Sequence, residues 1–145
     1  MALGVAVGAL ALCLAGTTPS GPTVTAQVPL SASDGAFTIQ WMHSIEKTQW
    51  TEHWQVRAKP QPHLYLSDAR IETSGAGMDI PDNAVWRDGG YTYDVQQMLT
   101  EVTLSHSPFT AQATLCSTQQ CQQLADWLPG LPAIAAITLT ACPTP

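Results

Sequence analysis

Two runs of alternating apolar and polar residues, close together in the chain, constrain its fold more than any other feature. In residues 36–43 one face carries Phe37, Ile39, Trp41 and His43. In residues 49–57 one face carries Trp50, Glu52, Trp54 and Val56. Successive side chains of a β-strand point to opposite faces, so both patterns predict half-buried strands. Residues 44–49 join the runs, a length typical of an antiparallel hairpin with a longer loop.

Further short strands are predicted along the rest of the chain. Residues 63–72, 101–106 and 134–142 are apolar or β-branched enough for strands, and Gly- and Pro-containing turns separate them. A short helix is predicted over residues 119–128, and it ends before Pro129. Frequent turns between short strands favour a sandwich or a small barrel. The predicted fold is therefore mostly β: a single-domain antiparallel β-sandwich or small barrel with at most one short helix.

The N-terminus is apolar enough for an export signal. Residues 1–15 are almost wholly apolar or small, which is short for a membrane span but typical of the core of a signal peptide, although no Lys or Arg precedes them. Cleavage after Ala15 or Ala26 and an uncleaved anchor are both open. We predict a signal peptide or N-terminal anchor with linker over residues 1–22 and one β-rich exported domain over residues 23–145, periplasmic or secreted and either free or membrane-tethered.

The cysteines agree with export. Cys116 and Cys121 are close enough for a loop-closing disulfide, which an oxidising compartment preserves. If cleavage of the signal removes Cys13, Cys142 either stays unpaired or forms a disulfide with one of these two cysteines. The cysteine spacing matches no closed zinc site, so no metal is predicted. Nor does any motif point to a cofactor.

Charge excludes one class of partner. Charged residues make up only 11% of the chain, and the formal net charge is −6. A nucleic-acid binder needs a basic stripe that displaces counterions from phosphates. We therefore expect no nucleic-acid partner.

Ionisable side chains fall on apolar strand faces, where a charge is costly unless it is paired. If Leu64 and Leu66 point inward on a regular strand, Arg70 and Glu72 share their face. A polar cluster at one end of the hairpin is then expected. Its members, the binding or catalytic candidates, are His43, Ser44, Glu46, Lys47, Glu52, Arg70 and Glu72.

This cluster has two interpretations. As a functional site, Arg70 binds a carboxylate or another small anion through two parallel hydrogen bonds, and His43 beside Glu52 acts in proton transfer. As a structural device, the cluster is an ion-paired network that fixes the hairpin register. The following loop adds backbone N–H groups for an anion, or is a plain turn. Its candidate residues are Ser74, Gly75, Gly77 and Met78.

Two motifs resemble one bacterial family. The run from Trp41 to Thr48, followed by Trp50, Glu52 and Trp54, is similar to the leading motif of the domain of unknown function 1850 family, and residues 69–78 with Pro81 are similar to its second motif. The resemblance spans about residues 23 to 142. Members are small and exported, and are often encoded beside tripartite (TRAP) transporters of the TAXI type. The resemblance implies a periplasmic accessory role at such a transporter, with the permease or its solute-binding protein as partner.

Three functions follow as hypotheses. The first is a non-enzymatic binding or accessory protein of a TRAP transporter. The second is a small hydrolase-like enzyme in which His43 and Glu52 form an acid–base pair. The third is a metal-binding module that uses His43 with Glu46 or Glu52.

Overall fold

Strands dominate the chain. The computed structural model describes residues 10–21, 23–31, 34–42, 48–72 and 80–143. The strands are β1 (Leu10–Thr17), β2 (Val24–Val28), β3 (Ala36–Met42), β4 (Gln49–Arg57), β5 (His63–Glu72), β6 (Val85–Arg87), β7 (Gly90–Leu99), β8 (Glu101–His106), β9 (Thr114–Cys116), β10 (Cys121–Gln123) and β11 (Ala135–Pro143). Within these ranges the one helical element is a short 3₁₀ turn, Leu124–Trp127.

The strands form two sheets. A four-stranded sheet has the order β2-β1-β11-β8, and a seven-stranded sheet has the order β10-β9-β3-β4-β5-β7-β6. Every strand pair in both sheets is antiparallel. The predicted mostly β, antiparallel sandwich is confirmed, and the barrel alternative is not adopted because neither sheet closes on itself. The predicted hairpin is the β3–β4 pair, in which Trp41 lies opposite Trp50.

One core fills the space between the sheets. The four-stranded sheet contributes the buried side chains of Leu12, Leu14, Ile137 and Leu139, and the seven-stranded sheet contributes those of Phe37, Trp54, Leu64 and Leu115. These residues alternate with more exposed ones along their strands, as half-buried strands require. We call the core-facing side of the seven-stranded sheet its inner face and the solvent-facing side its outer face.

Strand β1 occupies an interior position that the signal-peptide prediction did not anticipate. Its eight residues pair with β11, and five of them also pair with β2. Leu12 and Leu14 are fully buried. Residues 1–22 therefore include a strand that pairs on both of its edges. Removal of this segment stays a prediction, and cleavage after Ala26 would take β1 out of the sheet.

Two disulfides account for all four cysteines. Cys116 bonds to Cys121, as predicted, and closes the β9–β10 hairpin. Cys142 bonds to Cys13 and joins the last strand to β1. In the full chain Cys142 therefore has a partner, Cys13, which lies in the predicted signal; the pairing expected after removal of that signal stays a prediction.

A bulge in β5 corrects the predicted faces of that strand. The register with β4 shifts between His53 and Trp54, so Ser67 is an extra residue between Leu66 and Asp68. Leu64 and Leu66 precede the bulge on the inner face, and Ala69 and Ile71 continue that face after it. Because an extra residue exchanges the faces of all that follow, Arg70 and Glu72 lie on the outer face.

The predicted helix over residues 119–128 is mostly absent. The strand β10 and its disulfide hold residues 121–123 in an extended hairpin, and only Leu124–Trp127 turn helically. Trp127 is buried, and its indole Nε1 donates to the carbonyl oxygen of Leu115 at 3.2 Å. That hydrogen bond attaches the turn to β9 of the seven-stranded sheet.

Candidate functional site

Glu52 lies in a cross-strand row of mostly apolar side chains on the inner face. The register pairs it with Ile39 on β3 and with Ala69 on β5, and Ala69 pairs with Tyr93 on β7. Ile39 and Ala69 are each only 2% exposed. Directly opposed residues of neighbouring strands point to the same face. The alternation of β4 thus carries a carboxylate into an apolar environment, as the sequence predicted for this residue.

Tryptophans flank the carboxylate along its own strand. Trp50 and Trp54 are its neighbours on the same face, and Trp54 Nε1 donates to Glu52 Oε1 at 3.2 Å. The ring of Trp54 stacks on that of Phe37 with centroids 6.0 Å apart, and Trp41 stacks on Trp50 at 5.9 Å. The stacked pairs hold the indoles in place, so the donor to Glu52 is fixed by packing.

A cleft of about 390 Å³ opens beside Glu52, between the two sheets. Its floor is the inner face, and its opposite wall is β8, an edge strand of the four-stranded sheet. Its lining residues are Ile39, Trp41, Glu52, Trp54, Leu66, Gln97, Leu99, Val102, Leu104, Ser105, Ala111 and Ala113. The rim residues Gln97, Ser105 and Ala111 are exposed, whereas Ile39, Trp54 and Leu66 are buried. Such a volume and such a mostly apolar lining are typical of small-molecule sites.

The cleft contains a carboxylate without a basic side chain among its described lining residues. Burial raises the pKa of Glu52 above its ordinary value, and the hydrogen bond from Trp54 opposes part of that rise. Burial, and then the negative charge of Glu52, raise the pKa of Tyr93. Both shifts have the sign expected where a negative charge is desolvated and no cation compensates it.

Arg70 is separated from Glu52 by the thickness of the sheet. Its two terminal nitrogens donate to the carbonyl oxygens of Arg87 at 2.9 Å and of Asp88 at 2.7 Å, and its Nε lies 3.9 Å from a carboxylate oxygen of Glu72. Arg70 therefore supports the β6–β7 turn from the outer face. The predicted meeting of Arg70, Glu72 and Glu52 at one interior spot is wrong, because the bulge in β5 turns Arg70 and Glu72 outward.

A second polar group, which sequence reasoning did not single out, lies on the outer face. His53 Nδ1 is 2.9 Å from Asp68 Oδ2, and Ser67 Oγ donates to Asp68 Oδ1 at 2.8 Å or to the carbonyl oxygen of His53 at 3.0 Å. Within the described residues the imidazole Nδ1 is close to the carboxylate but badly angled for a hydrogen bond. The serine contacts the carboxylate and not the imidazole, so this arrangement does not activate a nucleophile.

The remaining candidates lie outside the described residues. These are His43, Ser44, Glu46 and Lys47 in the β3–β4 connection, and Ser74, Gly75, Gly77 and Met78 in the loop after β5. Sequence reasoning missed the contributions of β7 and β8 to the cleft. The alternation of Tyr91, Tyr93, Val95, Gln97 and Leu99 was a usable signal for β7.

The described residues include neither a group of metal ligands nor a membrane-spanning helix. Across residues 10–143, leaving out the gaps named above, no three His, Cys, Asp or Glu side chains are grouped to hold a metal ion. No helix in the same ranges has the length and hydropathy of a membrane span.

Comparison with known proteins identifies the family. The family model described as "Domain of unknown function (DUF1850)" matches residues 37–124. This chain belongs to that family. The match begins in β3 and ends at the 3₁₀ turn, so it includes the hairpin that carries Glu52 and the β5 bulge of this DUF1850 chain. No curated protein and no solved structure matches the chain.

Proposed function

We propose that this DUF1850 protein is a non-enzymatic, periplasmic binding protein that acts as an accessory of a TRAP transporter of the TAXI type. Its binding site is the cleft beside Glu52. The observation that carries this proposal is a desolvated carboxylate in an apolar cleft whose described lining residues include no cation. Such a charge lowers stability when the cleft is empty, which favours a role in binding over a role in folding.

The residues around the carboxylate favour binding over catalysis. An acid–base mechanism needs a second titratable group within hydrogen-bond reach of the substrate. None of the described histidines lines the cleft: His53 is on the outer face, and buried His63 has its Nδ1 2.7 Å from the carbonyl oxygen of Gln61. The hydrolase-like alternative with His43 and Glu52 and the metal-binding alternative stay predictions that depend on residues outside the described ranges.

Export and the transporter partner rest on separate arguments. Two disulfides favour an oxidising compartment such as the periplasm. The transporter link comes from the resemblance to a family often encoded beside TAXI-type TRAP transporters. The candidate partners are the permease and its solute-binding protein. Two terminal nitrogens of Arg70 already donate to carbonyl oxygens, so the small-anion alternative stays a prediction that rests on candidates outside the described residues.

The test is co-purification of the tagged full chain from its native membranes, with the recovered subunits identified by mass. We expect a TRAP permease or solute-binding subunit with the wild type, and about tenfold less of it with Glu52→Gln. His53→Gln, a change to the neighbouring residue on the outer face, is the matched control and should retain the partner. Recovery of no transporter subunit with the wild type would refute the accessory role.

A further inference from the structure

We propose that the cleft beside Glu52 binds an organic ammonium ion, a molecule with an apolar body and one positively charged amine. The apolar body lies between Leu66 and the β8 wall, and the amine lies against the carboxylate. This inference rests on the proposed use of the cleft as a binding site, and it names the chemical class of the occupant.

Charge balance gives the first argument. The only ionisable side chain among the described lining residues is Glu52, and within the described part of the chain its one hydrogen bond comes from a neutral donor, Trp54 Nε1. The basic side chains of Arg57 and Arg70 are engaged on the outer face, the first over the ring of Tyr65. A buried carboxylate is stabilised by a paired cation. An ammonium ligand supplies that cation when it binds and removes it when it dissociates.

The aromatic side chains give the second argument. Trp41 and Trp54 line the cleft on either side of Glu52, and Tyr93 lies in the same cross-strand row. An ammonium group within about 6 Å of an indole face is attracted by the ring quadrupole, and the attraction grows when water is excluded. A carboxylate between two indoles therefore favours a cation twice, through charge and through the rings.

The lining also discriminates against the opposite charge. An anionic ligand would place a second negative charge beside Glu52, where burial strengthens the repulsion. The described lining also has the amide of Gln97 and the hydroxyl of Ser105. Both residues are exposed and lie on the rim of the cleft, whereas Leu66 is buried. These groups fit the polar end of a ligand or solvent, and neither neutralises a charge.

The experiment measures binding of three probes with similar bodies to the full chain at about pH 7, where 2-phenylethylamine is protonated. The other probes are neutral 2-phenylethanol and the anion 3-phenylpropionate. Titration calorimetry gives the dissociation constants for the wild type, Glu52→Gln, Trp41→Ala and the outer-face control His53→Gln. Thermal unfolding of each variant confirms that it is folded.

We expect the wild type and His53→Gln to bind the amine about tenfold more tightly than the alcohol, and Glu52→Gln to lose most of that preference. Trp41→Ala should weaken both the amine and the alcohol, and the amine more, because the indole ring also attracts the cation. If the alcohol or the carboxylate binds as tightly as the amine, and Trp41→Ala weakens it, the cleft is a binding site but the ammonium assignment is wrong. If no probe binds, or Trp41→Ala changes nothing, both the assignment and the use of this cleft are overturned.

Discussion

The two faces of the seven-stranded sheet give ionisable side chains opposite surroundings, polar partners on the outer face and mostly apolar neighbours on the inner face. The contrast occurs within a few residues of the chain. On the outer face, His53 lies against Asp68, and Arg70 donates to two carbonyl oxygens of the β6–β7 turn. On the inner face, Glu52 has a tryptophan N–H and apolar neighbours. Glu52 and His53 are adjacent in sequence, so strand alternation alone separates the two environments.

This difference distinguishes structural polar groups from candidate functional ones. The outer-face groups are partly solvated and already have partners, so each contributes modestly and predictably to stability. The inner-face carboxylate is desolvated beside an open cleft, which raises its pKa and destabilises the empty protein. The proposed binding role therefore rests on Glu52, whereas the contacts of Arg70 and Asp68 support the fold.

The largest expected effect comes from uncovering the inner face. Deleting residues 1–17 removes β1, with buried Leu12 and Leu14, from between β2 and β11. We expect the truncated protein to lose cooperative thermal unfolding. The control Cys13→Ser keeps the strand and loses only the bond to Cys142, so it should stay folded and lose about 2–4 kcal/mol of stability.

This deletion also bears on maturation. If the truncated protein unfolds cooperatively at the temperature of the full chain, β1 is dispensable and cleavage within it is compatible with the fold. If it fails to fold, the exported protein should retain Cys13, which the mass of the unreduced mature protein measures directly.

Trp54→Ala should give the next largest effect. Trp54 is 4% exposed, stacks on Phe37 and donates to Glu52, so its truncation creates a cavity and leaves the carboxylate without its donor. We expect a loss of roughly 3–5 kcal/mol in the free energy of unfolding by denaturant titration. Gln55→Ala, one residue further on the outer face, should cost less than about 1 kcal/mol. Equal losses would contradict the distinction between the faces.

Arg70→Gln tests whether Arg70 supports a turn and not a ligand site. The change removes two charge-assisted hydrogen bonds to the carbonyl oxygens of Arg87 and Asp88, so we expect a loss of roughly 1–3 kcal/mol. Amide exchange should quicken in β6 and the adjoining part of β7, while probe binding in the cleft stays unchanged. Arg57→Gln, on the same face but away from this turn, is the control. Loss of cleft binding with a stable turn would restore Arg70 to the binding site.

Much of the fold followed from local pattern, and the failures have physical causes. The hairpin of β3 and β4, with Glu52 on the inner face, was predictable because alternation reports which side chains are buried. The orientation of Arg70 was not, because a bulge is an irregularity of pairing, and residues 63–72 alternate without marking Ser67 as extra.

The other failure is β1. An apolar run of this length has the composition both of a signal core and of a strand buried between two neighbours, so composition does not separate the two. Its disulfide partner Cys142 is 129 residues away, and no local pattern reports that contact. The cleft was likewise predictable only in part, because its β8 wall belongs to the other sheet and no local pattern reports that the two lie opposite each other.

The smallest expected effect is the most diagnostic, because its sign reports whether a cation pairs with Glu52. Glu52→Gln is nearly isosteric and keeps an oxygen for Trp54 Nε1. In the wild type the folded-state pKa of Glu52 lies above the unfolded value, so between the two values the folded protein binds more protons and its stability falls as the pH rises. Of the described groups in its cross-strand row only Tyr93 also titrates, at higher pH because its own pKa is raised. The stability of Glu52→Gln relative to the wild type should therefore increase as the pH rises through that window, and should not change with pH below it. Denaturant titrations of both proteins across acidic to neutral pH measure this difference. A variant that becomes relatively less stable as the pH rises would mean that a cation already pairs with Glu52 in the empty protein.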